Sequence, residues 1–249
     1  MTPTPLPVPA DRPIRAAIVG LGTIYELNSV AYRDNPDVEV VALVDPKAER
    51  RAQRAGDFPG AATFSSIDQL AASGLEVDAV ECLLPIFAHA DGVVELVSHG
   101  WHVNLQKPIA LTLKDAQRMV EAARAAGVQL RVMENYLFYE PLQKLKALVD
   151  EGELGEIVGY HLKMVANGNG GWEVPWEVYE DQFALRDHGR GVLFYDDGWH
   201  KWSTALWMFG PVREVRAWVG ETEVYPGAYV DAPATAMWEH ESGVRGLWD

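Results

Sequence analysis

Through its first half the chain alternates short apolar, largely β-branched runs with amphipathic stretches. Residues 14 to 19 (Ile-Arg-Ala-Ala-Ile-Val) form an apolar run that stops at Gly20-Leu21-Gly22, and a helical stretch then leads to Asn35-Pro36. Residues 38 to 44 (Val-Glu-Val-Val-Ala-Leu-Val) are strongly β-type and end at Asp45-Pro46, so this opening predicts a βαβ unit. The pattern continues with a helix near 47–56, a short strand near 61–64, a helix near 66–72 and a buried strand at 78–84 closed by Pro85. A helix at 87–98 ends at Gly100, a strand at 101–105 delivers Lys107 at its carboxyl end, a helix at 112–125 stops near Gly127, and a strand at 128–132 follows. Strands alternating with helices predict a parallel, doubly wound sheet, the α/β class. Ligands of such sheets bind beyond the carboxyl ends of the strands, where Asp45, Pro85 and Lys107 all fall.

After Asn135 the pattern changes. A helix at 139–150 stops at Gly152, and longer β-type runs follow at 156–166, 212–221 and 233–240, with a glycine- and tryptophan-rich stretch at 167–180 between them. These runs predict an α+β second domain with a mainly antiparallel sheet. The expected partition is a proline-rich arm at 1–12, a nucleotide-binding domain at 13–133 and a second domain at 134–249.

Composition narrows the classes. Hydrophobic residues make up 48% of the 249 and charged residues 23%, which is globular, and no apolar run reaches the roughly 18 residues of a membrane span. The formal charge of −15 is uneven: residues 1–133 hold 16 acids and 12 bases, the remainder 20 and 9. With no basic patch, nucleic acid and anionic lipid are not expected partners. The start Met1-Thr2-Pro3-Thr4-Pro5 has no basic or apolar leader and no twin arginine, so the cytoplasm is the expected location. Cys82 is the one cysteine and lies in a strand-like run, which reads as core rather than nucleophile.

Gly20-Leu21-Gly22-Thr23-Ile24 follows a strand and opens a helix, whose amino terminus offers amide donors to a pyrophosphate. Asp45, at the end of the next strand, is placed to accept ribose hydroxyls and to disfavour a 2′-phosphate, so NAD is expected over NADP. Tyr25 stands at the third glycine position, where its bulk would press on the sheet or the dinucleotide. Asp196 and His200 are four residues apart, one turn of a single helix face, and with the cation Lys107 they form a proton-handling set. Trp199, Trp202, Leu206 and Phe209 make one apolar stripe by spacing of three and four. His89 is read equally as a cofactor contact or a helix cap, and Trp172, Trp176 and Tyr179 as a sugar platform or an apolar loop core. No metal site is expected.

Taken in order, Gly20-x-Gly22, Asp45, Val77-Asp78-Ala79-Val80 leading to Pro85 and His89, Gly100-Trp101-His102-Val103 before Gln106-Lys107-Pro108, Asn135 with Phe138 and Pro141, Gly152-Glu153-Leu154-Gly155, and Asp196-x-x-x-His200 resemble the Gfo/Idh/MocA oxidoreductases over essentially the whole chain. The resemblance implies a Rossmann domain, an open second sheet, and an active site between them. It implies hydride transfer between NAD and a secondary alcohol of a sugar, cyclitol or similar polyol, and homodimers or homotetramers built through the second sheet. Lys107, Asp196 and His200 match the family's catalytic set. Gly20, Gly22, Thr23, Ile24, Asp45, Pro85, His89, Gln106 and Lys107 are the expected cofactor contacts, and Asn135, Trp172 and Ser203 the expected substrate contacts. Gln106 replaces the family's glutamate, and Ser203 stands where many members carry an aspartate. Members usually continue beyond Asp249, so a C-terminally truncated sheet is expected. Two other readings stay open: a relative that uses transient oxidation by tightly held NAD to cleave glycosides or epimerise, and a non-enzymatic binder of NAD or a sugar.

Overall fold

Beta-branched and leucine-rich runs become strands because both of their faces are covered by apolar packing. In the computed structural model, which describes residues 11–163, 191–225 and 228–249, β1 (Ile14–Val19), β2 (Val38–Val44), β3 (Ala62–Phe64), β4 (Ala79–Cys82), β5 (His102–Leu105) and β6 (Leu130–Val132) form one sheet. Its order is β3-β2-β1-β4-β5-β6 and every pairing is parallel. The order reverses between β1 and β4, so the crevice at their carboxyl ends is the expected ligand position.

Alternation along each strand sends side chains to the two faces. Ala17, Val19, Val44, Val80 and Leu105 pack on one side with Leu96 and Met119; Ile18, Leu43 and Leu83 pack on the other with Tyr25 and Phe58. Full burial of each large aliphatic side chain contributes about 1.5–3 kcal/mol. The covering helices are α1 (Thr23–Arg33), α2 (Ala48–Arg54), α3 (Ile67–Ala72), α4 (His89–Ser98) and α5 (Leu113–Ala126). Local chemistry sets their ends. The Thr112 hydroxyl accepts the Asp115 N–H at the start of α5, and left-handed Gly127 closes it.

The chain divides into two units, Met1–Met133 and Glu134–Asp249. The second begins with a 3₁₀ turn at Tyr136–Phe138 and α6 (Glu140–Asp150). Its sheet runs β7 (Gly159–Leu162), β12 (Arg245–Trp248), β11 (Ala234–His240), β8 (Val212–Val219). Two pairings are antiparallel and β12–β7 is parallel, so the sheet is mixed. A separate ribbon pairs β9 (Thr222–Tyr225) with β10 (Ala228–Val230), two short strands the sequence pattern did not reveal. One sheet face packs on α7 (Gly198–Phe209), with Trp238, Trp248, Ala236 and Ala205 buried together. Gly246 lies under Trp238, where an added Cβ would come within 2.1 Å of the indole, so β12 has no space for a side chain there. The proline-rich arm through residue 10 and Trp172, Trp176 and Tyr179 lie outside the described residues. No helix among those described is long and apolar enough to cross a membrane.

Candidate active site

The turn after β1 is fixed by an exclusion of volume. Gly20 has φ +94°, and a Cβ there would lie 2.6 Å from the Leu83 carbonyl oxygen, so only glycine fits as the chain leaves β1 beside the exit of β4. The Gly20 N–H donates to the Val44 carbonyl at 2.8 Å, tying this turn to the end of β2. There Asp45 is 2% exposed; its Oδ2 accepts the Leu21 N–H at 2.9 Å and its Oδ1 the Lys47 N–H at 2.8 Å. Arg50 Nη1 lies 3.6 Å from Asp45 Oδ2 and 3.5 Å from where a Cβ on Gly22 would stand. No side chain caps α1, which starts at Thr23 beyond Gly22, so its first amides are available to an anion.

These residues fit a dinucleotide: bare backbone at the turn, an uncapped helix terminus beyond it, and a carboxylate at the next strand end. Tyr25 does not crowd the turn. It is fully buried among Ile18, Leu43 and Phe58, with its hydroxyl donating to Asp57 Oδ2 at 2.9 Å and Arg54 over its ring, so the expected pressure on the dinucleotide is corrected by a pocket that holds the ring within the core.

Pro85, His89, Gln106 and Lys107 share the carboxyl-end side of the same sheet. Pro85 opens the 3₁₀ turn Ile86–Ala88, and His89 begins α4. His89 is 1% exposed, and its ring nitrogens lie 2.9 Å from the Leu84 carbonyl and 3.2 Å from that of Ile109, a clasp between the exits of β4 and β5. The Gln106 N–H donates to the Cys82 carbonyl, and its side-chain oxygen accepts the Lys107 N–H at 2.8 Å. Lys107 is half-buried, and its peptide bond to Pro108 is cis. Burial pushes the Cys82 thiol up to about 12, which agrees with a core residue and not a nucleophile.

In the second unit the centre is His200. It lies on α7 and is 9% exposed; Nδ1 is 2.8 Å from Glu134 Oε1. Its ring stacks on Tyr136, with centroids 4.4 Å apart and planes at 13°. Glu134 Oε1 also accepts the Tyr136 N–H at 2.9 Å. Burial pushes the Glu134 carboxyl up, but hydrogen bonds from His200, from the Tyr136 N–H and from Ser203 hold it on balance below its ordinary value. Ser203 thus faces Glu134, while Asn135 is exposed at the head of the 3₁₀ turn, where its carbonyl accepts the Phe138 N–H. Trp172 lies outside the described residues.

Two expectations are corrected here. Asp196 is not on α7: it belongs to a π-helical run, Val192–Asp197, whose i→i+5 winding breaks the four-residue register with His200. The carboxylate at His200 Nδ1 is Glu134, 66 positions upstream, which sequence spacing could not reveal. The apolar stripe is also shifted. Leu206 is half exposed, and the side turned to the sheet is the line of Gly198, Trp202 and Ala205.

The π run is itself anchored. Asp231 accepts the N–H groups of Leu193 and Phe194 at 2.7 and 2.6 Å, and a Cβ on Gly191 would fall inside that carboxylate, 1.7 Å from Oδ2. A cavity of about 790 Å³ opens beside this run, lined by Tyr195, Glu221, Tyr229 and Asp231 among others. Elsewhere, Asp68, Glu95 and His99 bring potential ligand atoms within 4.8 Å of one another on the helical surface of the first unit, with Asp68 and His99 exposed. Neither the strand ends nor His200 belongs to that cluster, and no metal is assigned to it.

Comparison with known proteins adds independent findings. A family model described as "Oxidoreductase family, NAD-binding Rossmann fold" matches residues 14–134, and one described as "GFO/IDH/MocA C-terminal domain" matches residues 142–249. The chain is 28% identical over 235 residues to a D-apiose dehydrogenase of Paraburkholderia graminis, covering 94% of this chain and 60% of that protein. It is 32% identical over 133 residues to a scyllo-inositol 2-dehydrogenase (NADP(+)) of Bacillus subtilis, covering 53% of this chain and 40% of that one. Among solved structures, the WlbA dehydrogenase of Bordetella pertussis in complex with NADH and UDP-GlcNAcA superimposes with a TM-score of 0.78 at 27% identity, covering 96% of this chain and 66% of that one. The chain therefore spans roughly half the length of the curated relatives it matches.

Proposed function

The chain belongs to the Gfo/Idh/MocA family of NAD-binding oxidoreductases, and from that premise we propose that it moves hydride between NAD and a secondary alcohol of a sugar, cyclitol or similar polyol. The observation that carries the reading is His200: a nearly buried imidazole engaged at Nδ1, which leaves Nε2 to exchange a proton with a ligand. Nicotinamide, when bound, supplies the hydride acceptor. His200 Nε2 takes the hydroxyl proton during oxidation, Lys107 lends positive charge to the developing alkoxide, and Asp196 supports the pair electrostatically. Gly20, Gly22, Thr23, Ile24 and Asp45 hold the dinucleotide, with Pro85, His89 and Gln106 along the same strand ends; Asn135, Trp172 and Ser203 meet the substrate. Asp45 favours NAD over NADP because a 2′-phosphate would meet its negative charge. The dehydrogenases among the relatives support the substrate class.

The same reading places self-association on the second unit's sheet. Cross-strand pairing sets Trp218 opposite Thr235 and Arg216 opposite Met237, on the face away from α7, where Trp218 is 66% and Met237 50% exposed. An exposed tryptophan and methionine on a sheet face fit a subunit interface.

The test is NADH formation across a panel of pentoses, hexoses, uronates and inositols. With the substrate so identified, His200→Ala should lower turnover by roughly 10²- to 10⁴-fold and leave NAD affinity intact. Unchanged turnover would remove His200 from the chemistry.

A further inference from the structure

We propose that Glu134 is a positioning residue that fixes His200 in the Nδ1–H tautomer, with Tyr136 holding the plane of the ring. The proposal rests on the acid/base role given to His200 above, and it assigns the residues that make that role possible.

The chemistry follows from what each atom can do. At 2.8 Å, Glu134 Oε1 and His200 Nδ1 share one hydrogen, and the ionised carboxylate can only accept it. Nδ1 therefore carries the proton, and in the neutral ring Nε2 keeps its lone pair. A base in the opposite tautomer would present N–H to the substrate hydroxyl and could not remove its proton. The carboxylate is kept ionised by the hydrogen bonds it accepts, which outweigh its burial, and it is kept stationary by the Tyr136 N–H, which holds the same oxygen at 2.9 Å.

Ring orientation has its own support. Tyr136 lies nearly parallel to the imidazole at 4.4 Å, which blocks rotation out of plane. The Thr204 hydroxyl donates to the His200 carbonyl at 2.7 Å, holding the main chain from which the ring projects. Among the charges close by, Lys201, whose ammonium lies 5.7 Å from the Tyr136 ring centre, forms an ion pair with Asp197. Glu134 and Tyr136 thus act from one short segment, the acid just before the 3₁₀ turn and the aromatic at its first position.

The experiment reads the tautomer directly. In protein labelled with ¹⁵N-histidine, long-range proton–nitrogen correlation spectra report which ring nitrogen is protonated, and His200→Gln identifies the His200 signals. The unsubstituted protein should show a protonated Nδ1 and a bare Nε2, and Glu134→Leu, which removes the acceptor, should shift His200 toward the Nε2–H form. An Nε2–H ring in the unsubstituted protein, or a tautomer unmoved by Glu134→Leu, would overturn the proposal. Should Glu134→Leu fail to fold, Glu134→Ala removes the same acceptor, and the unsubstituted protein's spectrum already decides the first point. On the substrate found in the panel, kcat should fall by no more than the roughly 10²- to 10⁴-fold expected of His200→Ala, with KM for NAD unchanged; a rise in KM for NAD with kcat intact would instead mark a structural role. A panel without any turnover would contradict the dehydrogenase reading alone, because the spectra depend on no substrate.

Discussion

At the scale of single residues, what could be read in advance was whatever is set by local geometry. Gly20 is an example: a strand running into a glycine turn and a helix already demands a residue that tolerates positive φ and close backbone approach, and the structure supplies both reasons. Gly20→Ala is accordingly expected to cost at least about 2 kcal/mol, since the left-handed conformation alone costs 1–3 and the Leu83 carbonyl must also move; thermal melting and NAD titration of the variant check both consequences. Glu134 shows the opposite case. Its neighbour Asn135 was picked out, but the acid itself gains its meaning only from a histidine on a distant helix, and the one local signal was its place just past a strand end. Tyr25 misleads for a related reason, because a one-dimensional motif places a bulky residue at the turn without saying into which layer the ring goes.

At the scale of elements, the central strands β1, β2 and β4 were legible because each is a short, largely apolar run bounded by Gly, Pro or Asp and buried over most of its length. The ribbon of β9 and β10 was not, since three or four residues carry too little periodicity to stand out. Asp196 was read as sharing one helix face with His200; nothing in Val192–Asp197 signals the wider winding, which is anchored by Asp231, the residue after β10. A polar network inside the second core was equally hidden. His240 must donate from Nδ1 to the Gly210 carbonyl, so its Nε2 accepts the Tyr160 hydroxyl at 2.7 Å, and the Trp238 N–H donates to Tyr160 at 2.8 Å. Burial raises the Tyr160 phenol to about 12, so it remains a donor at ordinary pH. Tyr160→Phe removes two buried hydrogen bonds, leaving the Trp238 N–H and His240 Nε2 only each other at 3.1 Å, and should destabilise the second unit by about 1–3 kcal/mol, seen as a lower denaturant midpoint with NAD affinity unaltered.

At the scale of the whole molecule, the excess of acid over base forecasts a soluble surface and repulsion between copies, against which any subunit contact must be apolar. The face carrying Trp218 and Met237 meets that condition. Trp218→Glu should shift the sedimenting species toward the monomer without altering thermal stability by more than about 0.5 kcal/mol, as expected of an exposed site; an unchanged sedimentation profile would remove that face from assembly. The family was legible because its motifs recur in order along both units, whereas the substrate was not, because residues such as Trp172 have no fixed periodicity and take their meaning from the ligand they meet. The central claim is that the strand ends of the first sheet, with Gly20, Asp45 and the uncapped α1, bind NAD. Calorimetric titration with NAD and with NADP tests it most directly. The account predicts saturable NAD binding with NADP weaker, and folded protein that binds neither nucleotide would contradict it.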